Sequence, residues 1–388
     1  MTDAGHGVLG IGMVGYAFMG RAHSQAWRTV SRFFDLPLSP RMAAICGRDR
    51  AKVRAAAERL GWAAWETDWK RLVARDDVQL VDVCTPGSSH AEISIAALEA
   101  GKHVLCEKPL ANTMDEARAM ADAAAAAAGL GVRAMVGFNF RRVPAVVLAR
   151  QLVEAGRLGT IRHVRGAYLA SPLIDPDFPL VWRLQAEQAG SGALGDLGAH
   201  AIDLAQYLLG DRIVGVSALT ETFVKERLLP DGSGARGPVT VDDAVALVAR
   251  FGTERGGPIG TFEATRFATG HKEGLRVELN GDRGSVVWEL DRLNELDFFD
   301  ATDERGTRGF RRIQVTEREH PYAGAWWPDG HTIGYEHTFT HEARDLLEAI
   351  AGGSDLAPSF ADGLQVQQVL DAALRSAASG SAWTAVAA

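Results

Sequence analysis

The sequence is poor in cysteine: Cys46, Cys84 and Cys106 are the three thiols in 388 residues. Their number is odd and no C-x-x-C spacing occurs, which excludes a disulfide framework and gives no zinc signature, so no metal is expected. Each falls at or near the end of an expected strand, where a thiol in a reducing compartment acts as a small core hydrophobe. The chain also lacks a run of 18 apolar residues, and its first residues, MTDAGHGV, have no basic region, apolar region or cleavage site. Neither a membrane span nor a targeting segment is expected, and the reading is of a cytoplasmic protein. Positive charge is short as well: 41 Lys and Arg stand against 49 Asp and Glu, for a formal net charge of −8. The basic residues are scattered, so neither nucleic acid nor a membrane surface is expected as principal partner.

What the chain has is apolar content and alternation. With 47% hydrophobic residues over this length, two cores and two domains are expected. In the first third, strand-like RMAAIC, VQLVDVCTP, HVLCEKPL and VRAMVGF alternate with helix-like RAKVRAAAERLGW, AEISIAALEAGK and DEARAMADAAAAAAGLG. Short apolar strands alternating with helices of ten or more residues predict a parallel, doubly wound α/β sheet. Thr113 and Glu116 form a capping box for the last of these helices, which should stop at Gly129. Beyond it the pattern changes. A helix VPAVVLARQLVEAGRLG and another in GDLGAHAIDLAQYLLGD precede a strand-rich tract with glycine turns, which predicts a large, mostly antiparallel sheet. Within it, LPDGSGARGPVT reads as a flexible loop, and FADGLQVQQVLDAALRSAASG as a closing helix. The division is placed at 1–138 and 139–388.

The stretch GIGMVGYAFMG holds two overlapping glycine patterns, Gly10, Gly12 and Gly15, and then Gly15, Ala17 and Gly20. A dinucleotide-binding loop needs a buried strand before it and a helix opening at its end, so that free N–H groups and the helix dipole face the pyrophosphate. Before the first pattern only Val8 and Leu9 are consecutive apolar residues; before the second stands VLGIGMV. The working loop is therefore placed at Gly15, Ala17, Phe18, Met19 and Gly20, with Gly10 and Gly12 inside the strand and the helix opening near Phe18. At the end of the second strand Arg48 stands where an acid would bind a ribose 2′-hydroxyl, which tilts the coenzyme toward NADP over NAD.

In a doubly wound sheet ligands bind beyond the carboxyl ends of the strands. Thr85, Pro86 and His90 follow the fourth strand, and Glu107 and Lys108 the fifth; all five are candidate coenzyme-site residues. Pro109 disfavours the helical region for Lys108, and an ammonium there suits proton exchange with an alcohol. In the second domain Asp196 and His200 are four residues apart, on one helix face, with Asp203 a further turn along. Such a pair positions a hydroxyl and exchanges its proton near neutral pH, holds a metal if a third ligand exists, or is structural. Trp182 and Arg183 either line a sugar site or pack.

Taken in order, the glycine loop with His23, TPGSSHAEI, GKHVLCEKPL, VGFNFRR and SGALGDLGAHAIDLAQYLLG resemble the Gfo/Idh/MocA family of NAD(P)-dependent sugar and polyol dehydrogenases across essentially the whole chain. The resemblance implies a Rossmann domain, a C-terminal α/β domain whose open sheet makes homodimer or homotetramer contacts, Lys108 and His200 as catalytic residues, and Asp196 orienting the substrate or the base. Within the family, GFNFRRVPA, EATRFATG and PSFADGLQV are most similar to the levoglucosan dehydrogenase-like and glycoside 3-dehydrogenase members, which oxidise C3 of a pyranose. That implies a sugar site including Phe140, Arg141, Trp182 and Arg183. Phe140 stands where those members carry tyrosine, and ASPLIDP replaces their polar and aromatic residues, so an altered sugar site is expected, with Trp326, Trp327 and His337 as candidate substitutes. Alternatives are an inositol or polyol dehydrogenase, a glycoside hydrolase using NAD in an internal redox cycle, and a nucleotide sensor without turnover.

Overall fold

The structure, a computed structural model, describes residues 7–252 and 256–387. Its strands are β1 (Gly7–Val14), β2 (Leu38–Cys46), β3 (Ala64–Glu66), β4 (Leu80–Val83), β5 (His103–Glu107), β6 (Ala134–Gly137), β7 (Ile161–Ala170), β8 (Ile213–Glu221), β9 (Glu226–Leu228), β10 (Arg236–Pro238), β11 (Ala244–Phe251), β12 (Ile259–Thr265), β13 (Glu273–Gly281), β14 (Gly284–Glu289), β15 (Glu295–Asp300), β16 (Arg311–Gln314) and β17 (Thr384–Ala385). Its helices are α1 (Phe18–Phe33), α2 (Arg50–Leu60), α3 (Trp69–Val73), α4 (His90–Glu99), α5 (Met114–Ala128), α6 (Pro144–Glu154), α7 (Ala186–Ala189), α8 (Ala199–Leu209), α9 (Tyr335–Gly352) and α10 (Phe360–Ala378).

Two compact units divide the chain: residues up to 142 with 334–364, and residues 143–333 with 365 onward. In the first, six strands in the order β3-β2-β1-β4-β5-β6 pair in parallel throughout. This is the doubly wound dinucleotide-binding order. The expected capping box of Thr113 and Glu116 is present and α5 ends at Ala128, with Gly129 as its C-cap. One face of the sheet is filled by Leu9, Ile11 and Met13 of β1 against Trp27 and Val30 of α1 and Phe339, Leu346 and Leu347 of α9. Helix α9 was not expected from the sequence. Its buried side includes Thr338, Thr340, His341 and Glu342, which interrupt the apolar stripe that marks an amphipathic helix.

In the second unit nine strands form one sheet, β16-β15-β14-β13-β7-β12-β11-β8-β17, antiparallel except where β12 and β7 run in parallel. Within LPDGSGARGPVT, residues 229–235 form the expected loop, but Arg236–Pro238 pairs with Glu226–Leu228 as a small hairpin, through Arg236 and Leu228, Gly237 and Arg227, and Pro238 and Glu226. Along β11 burial alternates strictly, so one sheet face is packed and the other carries exposed side chains such as Val248. Among the described residues, no helix is long and apolar enough to cross a membrane.

Candidate active site

The first glycine pattern is strand and the second is the loop. A Cβ on Gly10 would lie 1.9 Å from the Asp77 carbonyl oxygen, and one on Gly12 2.7 Å from a Leu72 methyl; both glycines permit close packing within and beside the sheet. Gly15 has φ +109°, a conformation that favours glycine, and its N–H donates to the Cys46 carbonyl at 2.9 Å. A Cβ on Gly20 would meet the Gly15 carbonyl oxygen at 2.3 Å, so α1 can start against the loop only with glycine there. Ala17, the extended N-cap, has no side-chain oxygen, and the first turn reads Phe18, Met19, Gly20, Arg21 without an acid. The N-terminal N–H groups of a 16-residue helix are thus left to an anion. This cradle fits the pyrophosphate of a dinucleotide.

Beyond β2 the Tyr16 ring lies so close to Gly47 that a Cβ there would be 2.0 Å from it. Arg48 is exposed, while Asp49 caps α2, accepting from the Lys52 N–H at 3.0 Å. His90 is buried, and its ring nitrogens face the Pro109 carbonyl oxygen at 3.0 Å and the Thr85 carbonyl oxygen at 2.9 Å. Burial works against its charged form, but the Cys106 sulfur, the Thr85 carbonyl and Glu107 together carry its pKa up to about 9. An imidazolium donates to both carbonyls, and so ties the loop after β4 to the loop after β5. The Thr85 hydroxyl accepts from Ser89 Oγ at 2.8 Å.

Sequence reasoning gave His23 no role, yet it anchors the buried centre of this unit. Its Nδ1 lies 3.0 Å from Asp82 Oδ1 and its Nε2 2.9 Å from Glu107 Oε1. Trp27 Nε1 donates to Asp82 Oδ2 at 2.7 Å, and Cys84 Sγ to Asp82 Oδ1 at 3.3 Å. Burial opposes charge on His23, but the Asp82 carboxylate and the Cys84 sulfur outweigh it and hold the pKa well above the ordinary value. The ring therefore donates to both carboxylates. Glu107, buried in turn, accepts the Lys108 N–H on Oε2 at 3.2 Å. One imidazolium thus connects β4, β5 and the backbone of the half-buried Lys108. His23, Asp82 and Cys84 have ligand atoms within 4.8 Å of one another, but those atoms hydrogen-bond among themselves, which satisfies them without an ion. The signal that could have found His23 is an acid at both flanking strand ends, Asp82 and Glu107, facing one helix. Phe140 and Arg141 belong to this unit and are buried; Phe140 packs against Tyr335 at 6.0 Å between ring centroids, and Arg141 lies 3.8 Å from the Asp362 carboxylate. His337 accepts the Gly334 N–H at the start of α9.

The second unit holds Trp182, Arg183, Asp196 and His200. Residues Leu194–Gly198 form a π-helical turn that runs into α8, so the single α-helix expected from the sequence is wound more loosely where Asp196 sits. Such turns are rare and cluster at functional sites. Asp196 is half-buried and His200 buried, with the Tyr168 ring 5.9 Å away; Tyr168 donates its hydroxyl to Glu273 at 2.6 Å. Trp182 and Arg183 lie on one 3₁₀ turn, Trp182–Leu184, the guanidinium 4.3 Å from the indole centroid. Trp326, in the same unit, is buried and Trp327 partly exposed.

Residues 9–138 match the model of an oxidoreductase family with an NAD-binding Rossmann fold, and residues 146–287 that of a GFO/IDH/MocA C-terminal domain. Levoglucosan dehydrogenase of Pseudarthrobacter phenanthrenivorans is 42% identical over 383 residues, 95% of this chain and 96% of its own. Among solved structures, an oxidoreductase domain protein from Kribbella flavida is 61% identical with TM-score 0.95, covering 98% of this chain and 100% of that one. A levoglucosan dehydrogenase in complex with NADH and levoglucosan is 42% identical with TM-score 0.93, covering 98% and 99%. The chain belongs to the Gfo/Idh/MocA family of oxidoreductases.

Proposed function

We propose that this protein is an NAD(P)-dependent dehydrogenase that oxidises a secondary hydroxyl of a pyranose, glycoside or anhydrosugar, at C3, to a ketone. The observation that supports it most strongly is the whole-length similarity to levoglucosan dehydrogenase, which includes the segments bearing Lys108, Asp196 and His200. When bound, the nicotinamide supplies the hydride acceptor. The pyrophosphate is assigned to the loop from Gly15 to Gly20 and the first turn of α1. Thr85 and Pro86 flank the coenzyme, while His90 and Glu107 act one layer further in, through the loops they hold. Lys108 and His200 handle the hydroxyl proton and Asp196 orients the substrate or the base. Phe140, Arg141, Trp182 and Arg183 shape the sugar site.

NAD is the coenzyme this reading adopts, because an NADH complex exists for a relative at 42% identity. Exposed Arg48 leaves a 2′-phosphate acceptable. A homo-oligomer through the open sheet face fits its exposed Leu219, Val248 and Ile259, on β8, β11 and β12, with light scattering as its check. The test is absorbance at the reduced-nicotinamide band with levoglucosan, glucose, a glucoside and myo-inositol, each coenzyme supplied separately. A rise with a pyranose is the expected result. A rise with myo-inositol alone sinks the sugar reading, and release of free sugar from the glucoside without net reduction indicates internal redox.

A further inference from the structure

Three consecutive backbone N–H groups at the start of the π-helical turn converge on one residue. The Gly192 N–H donates to Asp242 Oδ1 and the Leu194 N–H to Oδ2, both at 2.7 Å, and the Ala193 N–H donates to the Asp242 carbonyl at 3.0 Å. Asp242 comes from the loop before β11, 50 residues away in sequence from Gly192. The fit is tight: a Cβ on Gly192 would lie 1.7 Å from the Asp242 carbonyl oxygen. Burial raises the carboxyl's pKa, while the Leu194 and Gly192 N–H groups and Arg266 draw it back.

Arg266, 3% exposed at the end of β12, extends the same knot. Its Nη2 donates to the Asp242 carbonyl at 2.9 Å and its Nη1 to the Arg183 carbonyl at 3.3 Å, while the Asp243 carboxylate lies at 3.8 Å. Its own carbonyl accepts the Leu173 N–H at 3.3 Å. Asp243 in turn accepts the Phe223 and Val224 N–H groups. The turn bearing Trp182 and Arg183 and the turn that launches Asp196 and His200 are therefore fastened to one buried pair. Neither turn holds the other directly through these bonds; Asp242 and Arg266 do.

We propose that Asp242 and Arg266 are positioning residues of the dehydrogenase reaction: Asp242 sets the turn from which Asp196 and His200 project, and Arg266 sets the turn that carries Trp182 and Arg183. This rests on the proposed roles of those four residues. The carboxylate is suited to the task because both its oxygens accept fixed N–H groups. Asn at 242 keeps the shape but turns one acceptor into a donor facing an N–H. Lys at 266 keeps the charge but loses the planar fork that reaches two carbonyls.

The test compares Asp242→Asn and Arg266→Lys with the wild-type enzyme, using NAD and levoglucosan, or myo-inositol if that alone turns over. Active sites are counted by NADH binding. Asp242→Asn is expected to lower kcat on the order of 100-fold with KM within about threefold, as a displaced base does. Arg266→Lys is expected to raise KM about tenfold with kcat within about threefold. NADH affinity stays unchanged in both. Amide exchange at residues 192–194 should accelerate in Asp242→Asn. A merely structural role would lower thermal stability and leave kcat and KM per NADH-binding site untouched, and that result overturns the proposal. If Asp242→Asn does not fold, the KM-against-kcat pattern of Arg266→Lys decides. His200→Ala and Asp196→Ala separate the two failures: full activity in both contradicts the proposed roles, whereas loss in both with normal Asp242→Asn and Arg266→Lys contradicts this inference alone.

Discussion

The two units hold their functional side chains by different means. In the first, the fixed points are backbone and a buried charge: glycines that no Cβ could replace bring α1 onto the loop, and the His23 imidazolium between Asp82 and Glu107 reaches the Lys108 N–H. In the second, a carboxylate and a guanidinium from separate strand ends hold two turns by their N–H and carbonyl groups. The glycine loop of the first unit is encoded in one contiguous motif, whereas the His23 network and the second unit's pair are assembled from residues far apart in sequence. Substitutions at the first unit's fixed points should act on Lys108, on stability and on the coenzyme, and those at the second unit's pair on His200 and on the sugar.

The largest effect expected in the first unit is chemical. Lys108→Met should lower kcat by about 1,000-fold, within the usual range for loss of a general acid or base, with NADH binding retained by titration. Full kcat would remove Lys108 from the mechanism and leave the second unit alone with the proton. Next is stability. His23→Leu strips the cation from two buried carboxylates, and breaking such a pair costs roughly 3–5 kcal/mol, so urea unfolding should shift by that order; an unchanged midpoint would show the charge network to be dispensable.

A smaller effect should appear in the pH dependence of stability. Glu342 on α9 is buried, neither carboxyl oxygen has a hydrogen-bond partner among the described residues, and burial, against Arg142 and His23 and with Glu107 and Asp82, pushes its pKa up to about 8 from an ordinary 4.5. The folded state thus holds the proton more tightly than the unfolded one. The resulting stabilisation is complete below the ordinary value and lost as pH rises through about 8. Between pH 5 and 9 the melting temperature of the wild type should fall more steeply than that of Glu342→Gln. Parallel curves would contradict a protonated Glu342. Smallest of all, Arg48→Ala should raise KM for NADP several-fold and leave KM for NAD unchanged; equal values would sever Arg48 from the coenzyme.

Much of the first unit was legible because its determinants are local. Gly15 and Gly20 bracket a loop between an apolar strand and a helix, Thr113 and Glu116 announce α5, and Lys108 precedes a proline at a strand end. Helix α9 was not, because His341 and Glu342 lie on its buried side and disguise its period. Burial pushes His341 down to about 3, and its neutral ring donates Nδ1–H to the Arg142 carbonyl at 2.9 Å; only tertiary structure supplies that partner. In the second unit Asp196 and His200 were visible through their spacing, but the π-helical turn was not. Nothing local in LGDLG distinguishes it from α-helix, and the Asp242 carboxylate that receives the Gly192 and Leu194 N–H groups is about 50 residues downstream. The β9–β10 hairpin was hidden by its glycines and proline, which read as loop.

The central claim is hydride transfer from C3 of a pyranose to the nicotinamide, and the most direct measurement is the fate of that hydrogen. Levoglucosan deuterated at C3 is incubated with the enzyme and NAD, and the coenzyme and sugar are followed by NMR. The account predicts deuterium at C4 of the reduced nicotinamide ring, one equivalent per 3-ketosugar formed, and transfer about 1,000-fold slower with Lys108→Met. Reduced coenzyme without deuterium, or a carbonyl at another carbon, would contradict it.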